Sequence, residues 1–295
     1  PWVFGHDLSP ILVDYLNEEQ REKYLYPVIR GEKKHAFAQT EPDAGGDAGA
    51  IRTSAVRDGD DFVINGMKRF ITSGDDADFF KVTCVTASEK DTRRVSCILV
   101  DANTPGVSVL RRQETMMDDQ PCEIAFEDAR VPVANLIGNE GDGFKMAQHW
   151  ITIGRIRHGA GALGVMERCL EMSANYAQQR KTFGHPLADR QAIQWPMVDI
   201  YADLRTMRPL IYNAAAKFDA GGDIRWDSYL CKFLGDRKGY EAADRCLQIF
   251  GGMGLTTDLP VEKLWRDMRS MMITEGPEEI LRMSLAQEVL RQYVN

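Results

Sequence analysis

Glu275 lies in Ile273-Thr274-Glu275-Gly276-Pro277-Glu278-Glu279-Ile280, a carboxylate beside a glycine just ahead of an apolar run of helical period. Pressed against a planar cofactor, such a carboxylate can remove a weakly acidic carbon-bound proton while a hydride leaves the next carbon. Burial against apolar surface would raise its pKa and make it a stronger base, and hydrogen bonds to the adjacent carbonyl would stabilise the developing enolate. The plain alternative is a solvated carboxylate at a helix N-terminus, favoured by the helix dipole, and Glu278 and Glu279 fit that description. The chemistry also needs a cofactor site. Four further blocks have suitable residues: Phe37-Ala38-Gln39-Thr40-Glu41-Pro42-Asp43-Ala44-Gly45-Gly46-Asp47, then Lys68-Arg69-Phe70-Ile71-Thr72-Ser73-Gly74, then Arg180-Lys181-Thr182-Phe183-Gly184, then Gln248-Ile249-Phe250-Gly251-Gly252. Arginine suits a diphosphate through its fixed fork of donors, and paired glycines allow close backbone approach. Read plainly, Gly251-Gly252 is a helix C-cap, and Phe70 and Thr72 are two residues on one strand face.

The elements that must position these residues change character along the chain. Leu8, Ile11, Leu12, Tyr15 and Leu16 recur at helical spacing, and residues 8–30 read as one helix or two short ones ending at Gly31. From 35 to about 135 short β-rich runs alternate with turn signals, among them Arg57-Asp58-Gly59-Asp60, Asn65-Gly66 and Thr104-Pro105-Gly106, which predicts a compact antiparallel barrel or sandwich. After Gly141-Asp142-Gly143 helical period takes over, with stretches from about 144 to 176 and at 189–219, 224–250 and 278–292 joined by short glycine-containing turns. The expected fold class is α+β: a partial helical segment over 1–34, a middle β domain over 35–139 and a C-terminal four-helix bundle over 140–295.

Composition narrows the function classes. The 295 residues suffice for two domains, and a 44% hydrophobic share with 27% charged residues is ordinary for a globular enzyme. A formal net charge of −8 argues against broad phosphate-backbone binding, so nucleic acid is not an expected partner. Cys84, Cys97, Cys122, Cys169, Cys231 and Cys246 fall singly and read as buried, reduced thiols. His6, His35, His149, His158 and His185 show no metal-binding spacing and read as structural or surface residues. Gly141-Asp142-Gly143 lacks the surrounding βαβ unit of a dinucleotide fingerprint, and no Gly-x-Ser-x-Gly occurs. No apolar run approaches the roughly 18 residues of a spanning helix, and no leader pattern opens the chain, so an intracellular protein is expected.

In their order and intervals, the Phe37–Asp47, Lys68–Gly74, Arg180–Gly184, Gln248–Gly252 and Glu275 blocks together resemble the acyl-CoA dehydrogenase family. The resemblance implies FAD-dependent α,β-dehydrogenation of an acyl thioester, with Glu275 as base and an electron-transferring flavoprotein as acceptor. It implies that Phe37, Gln39, Thr40, Gly46, Phe70, Ile71 and Thr72 meet the flavin. Arg180, Thr182, Phe183, Gln191, Gln248, Gly251 and Gly252 would reach the FAD of a neighbouring subunit in a homodimer or homotetramer. Arg155 resembles the arginine beside the base. A subset of the family carries its base one residue before that arginine, where this chain has Gly154, which strengthens the assignment to Glu275.

Four positions depart from the pattern. Gly46 replaces a serine that reaches the cofactor phosphates and the substrate's carrier arm, Thr152 replaces an aspartate, Thr274 a bulky acyl-pocket residue and Pro277 a threonine. Gly46, Thr152 and Thr274 would touch substrate, so a branched, cyclic or carrier-protein-bound acyl group stays open. Members carry more helices ahead of the position of Pro1, so the resemblance also implies a fragment, or a protein without half of its N-terminal helical domain. In that case a targeting segment for the mitochondrial matrix or peroxisome could precede it. An oxygen-using flavin enzyme of the same fold and a catalytically silent oligomerisation module are the competing readings.

Overall fold

The computed structural model describes residues 8–89 and 92–293. The expectations on Pro1 and His6 lie outside the described residues. The chain divides into two compact units, Pro1–Trp150 and Ile151–Asn295.

In the first unit, helix α1 (Pro10–Tyr15) is followed by a second helical stretch, α2 (residues 18–29), so the two-helix alternative is the one realised. Asn17 starts α2 by a reciprocal cap: its side chain accepts from the Gln20 amide at 2.9 Å and Gln20 Oε1 accepts from the Asn17 amide at 3.2 Å. Eight strands follow: β1 (His35–Ala38), β2 (Ser54–Asp58), β3 (Asp61–Ile71), β4 (Phe79–Glu89), β5 (Thr92–Asp101), β6 (Val107–Arg112), β7 (Cys122–Pro132) and β8 (Leu136–Ile137). They form one sheet in the order β6-β7-β3-β2-β4-β5-β8, with β1 on β4. The β1–β4 and β2–β4 pairs are parallel, so the sheet is mixed where an antiparallel one was expected. Alternation within a strand reports which face is buried, not the direction of its neighbour.

Gly59 (φ 63°) turns β2 into β3 as its sequence predicts. Asn65-Gly66, also read as a turn, lies inside β3 instead. The register slips between Ile64 and Gly66, and a Cβ at Gly66 would stand 2.6 Å from Thr53 Oγ1, so the glycine marks a bulge where the residue leading into the paired strand β2 packs against β3. Successive residues of β4 face opposite ways: Phe80 and Val82 join Phe62, Ile64, Ile98 and Phe126 in one core, while Phe79 packs with Leu99, Ile11, Leu12, Tyr24 and Met146 in the other.

Helix α3 (Gly143–Gln179) carries the chain into the second unit, which continues as α4 (Gln191–Asp219), α5 (Arg225–Phe250), α6 (Val261–Met271) and α7 (Glu278–Tyr293). The sequence predicts the other four and misses α6. Its buried face mixes Val261, Met268 and Met271 with Asp267 and Ser270, and the i,i+4 pairs Glu262–Arg266 and Lys263–Asp267 support it. Helices α3 and α5 approach closely because both are lined with small residues: a Cβ at Gly235 would lie 2.9 Å from Gly159 Cα, and one at Gly239 3.2 Å from Ala162 Cβ. This seam brings the neighbouring side chains of the two helices together. All six cysteines are buried free thiols, and no described helix is long and apolar enough to cross a membrane.

Candidate active site

Glu275 occupies the α6–α7 loop with φ 52°, and Gly276 follows at φ 102°. A left-handed backbone costs a side-chain-bearing residue roughly 1–2 kcal/mol, and here it turns the carboxylate inward until the side chain is only 9% exposed. Each adjoining glycine has a steric reason. A Cβ at Gly276 would lie 2.9 Å from Arg155 Nη2, and one at Gly154 would collide with Glu275 Oε2. The absence of a carboxylate at Gly154 is thus also the space into which Glu275 fits.

Helix α3 presents Arg155, Arg157 and His158 to this loop, and α5 presents Lys232 to it, with Tyr229 and Asp236 behind Arg155 and His158. Arg155 Nε donates to the Glu275 carbonyl at 3.3 Å, and its guanidinium lies 4.4 Å from the centre of the Tyr229 ring. Arg155 is buried, and its Nη1 has no hydrogen-bond partner among the described residues, so it is not an ordinary surface arginine of a helix. His158 Nε2 faces Glu275 Oε2 at 3.6 Å, while Nδ1 lies 3.3 Å from both oxygens of Asp236. Asp236 Oδ2 accepts from Lys232 Nζ at 2.8 Å, and Lys232 also donates to the Met271 carbonyl at 2.9 Å.

This setting corrects one expectation. Burial pushes the Glu275 carboxyl up, but His158, then Arg157 and Lys232, outweigh it and hold the group below the usual carboxylate range. The seat is a cluster of cations rather than the apolar wall that would raise the pKa. Of the two alternatives for His158, structural or surface, burial excludes the surface one: it is fully buried beside Glu275, where burial pushes its imidazole down but Glu275 and Asp236 together raise it above 6.5. Its position four residues after Gly154, on the same helical face, is the signal that could have found it.

Of the remaining residues near the loop, Thr152 and Thr274 are half-buried, and Thr274 Oγ1 has no partner among the described residues. Glu278 is not the solvated carboxylate expected: it is buried and paired with Arg237 at 2.5 Å and Arg282 at 2.7 Å. Glu279 is exposed.

In the first unit, the two sequence blocks expected at the flavin meet. The Arg69 amide donates to the Thr40 carbonyl at 2.7 Å, and Lys68 Nζ to the Gln39 carbonyl at 3.0 Å and to Glu41 Oε1 at 2.8 Å. Phe37 packs on Trp150, ring centres 4.8 Å apart. Phe70 has φ 57° and is 54% exposed, at a register shift between Lys68 and Ile71. That left-handed residue breaks the strand alternation on which the shared face of Phe70 and Thr72 rested, and Thr72 lies beyond the end of β3. The Ile71 side chain is in the core, so only its backbone could meet a ligand. Gly46 is in an exposed turn. Gln39 Oε1 is buried without a partner among the described residues. That orphaned acceptor, with an open aromatic ring on a fixed backbone, fits a planar ring system edged with hydrogen-bond donors.

The third group gathers elsewhere in the second unit. Tyr176 stacks on Phe250 at 4.3 Å, joining the ends of α3 and α5, and Arg180, Gln191, Gln248, Gly251 and Gly252 are exposed. Thr182 accepts from Arg190 Nη2 through its carbonyl at 2.7 Å and its hydroxyl at 3.1 Å. Phe183 has φ 52° and is 94% exposed. Gly251, φ 59°, also caps α5. Arg155 lies roughly 36 Å along α3 from its end, at 1.5 Å per residue, so this group is not brought to Glu275 within the chain.

Comparison with known proteins finds matches across both units. Residues 36–129 match the acyl-CoA dehydrogenase middle domain and residues 141–290 the acyl-CoA dehydrogenase C-terminal domain. The mitochondrial isobutyryl-CoA dehydrogenase of Dictyostelium discoideum is 39% identical over 289 residues, covering 96% of this chain and 69% of that protein. The structure of butyryl-CoA dehydrogenase from Megasphaera elsdenii superposes with a TM-score of 0.90 at 33% identity, over 95% of this chain and 74% of that one. A structure described as electron transferring flavoprotein of Acidaminococcus fermentans gives a TM-score of 0.90 at 34% identity, with 95% and 74% covered.

Proposed function

Because this chain belongs to the acyl-CoA dehydrogenase family of flavoprotein oxidoreductases, we propose that it is an FAD-dependent enzyme that desaturates an acyl-CoA thioester between its α and β carbons. The observation that carries this reading is the inward-turned Glu275 carboxylate, seated over Gly154 and tied through its backbone to Arg155.

In this reading Glu275 removes the α-proton, forming an O–H bond at its carboxylate as the Cα–H bond breaks. Arg155 holds the Glu275 turn through its backbone carbonyl, and its buried Nη1 and the Thr274 hydroxyl, both without a partner among the described residues, are the donors proposed for the substrate. Thr152 and Gly46 are each proposed to contact the substrate's carrier arm, on the family resemblance of their positions. The flavin, when bound, supplies an acceptor for the β-hydride. Phe37, Gln39, Thr40, Phe70, Thr72 and the Ile71 backbone would hold it in the first unit. Arg180, Thr182, Phe183, Gln191, Gln248, Gly251 and Gly252 would serve the cofactor of a neighbouring subunit, which their exposure and their distance along α3 from Glu275 favour. The function is then that of a homodimer or homotetramer. An electron-transferring flavoprotein is the proposed acceptor, in keeping with the description of the Acidaminococcus fermentans structure. Short straight and branched acyl-CoA thioesters are the substrates proposed first, a choice supported by the names of two similar proteins, an isobutyryl-CoA and a butyryl-CoA dehydrogenase.

The test is the visible absorption spectrum of the purified chain with FAD, during anaerobic addition of butyryl-CoA, isobutyryl-CoA and longer thioesters. Bleaching by at least one of them is the expected result. A yellow protein that no thioester bleaches, or one whose thioester-reduced flavin is reoxidised by admitted oxygen at the rate of steady turnover, contradicts the assignment.

A further inference from the structure

Behind Glu275 stands a row of side chains that a lone carboxylate base does not require. His158 sits between two carboxylates, Glu275 at 3.6 Å from Nε2 and Asp236 at 3.3 Å from Nδ1. Lys232 fixes Asp236 at 2.8 Å and is itself anchored at 2.9 Å to the carbonyl of Met271, four residues before the base. The histidine, aspartate and lysine are all buried. An ionised aspartate only accepts hydrogen bonds, so it keeps a proton on Nδ1. Neutral His158 therefore presents the Nε2 lone pair to Glu275, and cationic His158 presents an N–H.

We propose that Glu275 and His158 form one proton acceptor, with His158 a positioning residue oriented by Asp236 and acting through Glu275: the pair takes the substrate's α-proton only when it begins without a proton of its own. The inference rests on the reading of Glu275 as the base. As the Cα–H bond breaks, its electron pair stays on carbon and the proton forms an O–H bond at Glu275. That proton then moves from Oε2 to the Nε2 lone pair of neutral His158, leaving a carboxylate beside an imidazolium, and His158 later releases it to solvent. If the pair already carries a proton, Glu275 faces an N–H and its charge is committed. The other charged or titratable groups facing the pair are Arg155 and Arg157 from α3 and Tyr229, Lys232 and Asp236 from α5. Among these side chains, the imidazole is the one whose ordinary titration falls between pH 5 and 8. The raised pKa of His158 and the lowered pKa of Glu275 agree with one proton held by the two.

Two measurements on the full chain test this. In 15N-histidine-labelled protein, titrated by NMR from about pH 5 to 9, His158 is expected to have its midpoint above 6.5, and Glu275→Gln and Asp236→Asn each to lower it by about one pH unit or more. Asp236→Asn is also expected to weaken the preference for a proton on Nδ1. An unmoved midpoint in both variants overturns the pairing. In the flavin-loaded enzyme, the rate of thioester-driven flavin reduction should fall as pH drops through that midpoint, and His158→Leu should move the profile to lower pH by about one unit or more. If Glu275→Gln lowers the His158 midpoint but no thioester reduces the flavin, the pairing is upheld and the dehydrogenase reading fails. If thioesters reduce the flavin with a profile that His158→Leu leaves in place, the dehydrogenase reading stands and the shared acceptor is overturned.

Discussion

Lys68→Met removes one half of the buried pair that pins the Thr40-Glu41-Pro42 turn to β3. Lys68 Nζ donates to Glu41 Oε1 at 2.8 Å and to the Gln39 carbonyl at 3.0 Å, while Glu41 also accepts from the amides of Arg52 at 2.6 Å and Thr53 at 2.9 Å. Without the ammonium, a buried carboxylate keeps two amides and loses its countercharge. Breaking such a pair costs about 3–5 kcal/mol, and the two surviving amides favour the lower end, about 3 kcal/mol. That corresponds to a loss of roughly 100-fold in the folding equilibrium of the first unit, and a fall in Tm of roughly 6–12 °C. Burial pushes Glu41 up, but Lys68, Thr53 and Arg52 outweigh it and hold the carboxyl below its ordinary 4.5. Burial also pushes Lys68 down despite Glu41, so the pair serves the carboxylate more than the ammonium. The stability supplied by Glu41 is present above pH 4.5 and lost as pH falls through its lowered pKa, so parent and variant should converge in acid. Urea unfolding of the parent, Lys68→Met, Glu41→Gln and the double variant measures this. A single-variant cost under about 1 kcal/mol, or a double variant that loses the full sum of the two singles, would refute the reasoning.

Other consequences are as specific. Gly154→Ala places a methyl group where Glu275 Oε2 now lies. Displacing the base by about 1 Å should lower flavin reduction by thioester roughly 100-fold while the unfolding curve stays close to the parent's, and a rate near the parent's would show that the carboxylate does not use that seat. Lys81 is buried in β4, and burial pushes its ammonium down from 10.5 to about 7. The folded chain then gives up this proton well before the unfolded chain does, so stability rises with pH from about 7 toward 10.5. Lys81→Met should remove that slope and stabilise the first unit at acidic pH by up to about 5 kcal/mol in denaturant titrations. A parent whose stability is flat across that range would contradict the burial of a charged lysine.

The residues that the sequence made legible share local spelling. Glu275 stands out because Gly276 must follow it, and the structure gives that glycine both a positive φ and a close approach to Arg155. Arg155 is placed by its register in α3. His158 was not legible in the same way, since its partner Asp236 is 78 residues away and the two meet only because Gly159, Gly235 and Gly239 let α3 and α5 close together. The lowered pKa of Glu275 follows from that same long-range seam. Phe70 shows a different limit: strand period predicts a face for it, and a single left-handed residue cancels the prediction. In Asn65-Gly66, a dipeptide that most often spells a turn served instead as a bulge, because the constraint came from Thr53, which leads into the neighbouring strand β2. Helix α6 was hidden by a buried face in which Asp267 and Ser270 share the core with two methionines.

Rapid-mixing flavin reduction by a bleaching thioester, compared between the parent and Glu275→Gln, tests the assignment of the base most directly. The amide keeps the shape of the turn and cannot accept the α-proton. Flavin and thioester should bind as in the parent, while the reduction rate falls by about 100-fold to 10,000-fold, the range that a positioned general base contributes. Reduction at the parent's rate would mean that the proton leaves to another group and that Glu275 is not the base.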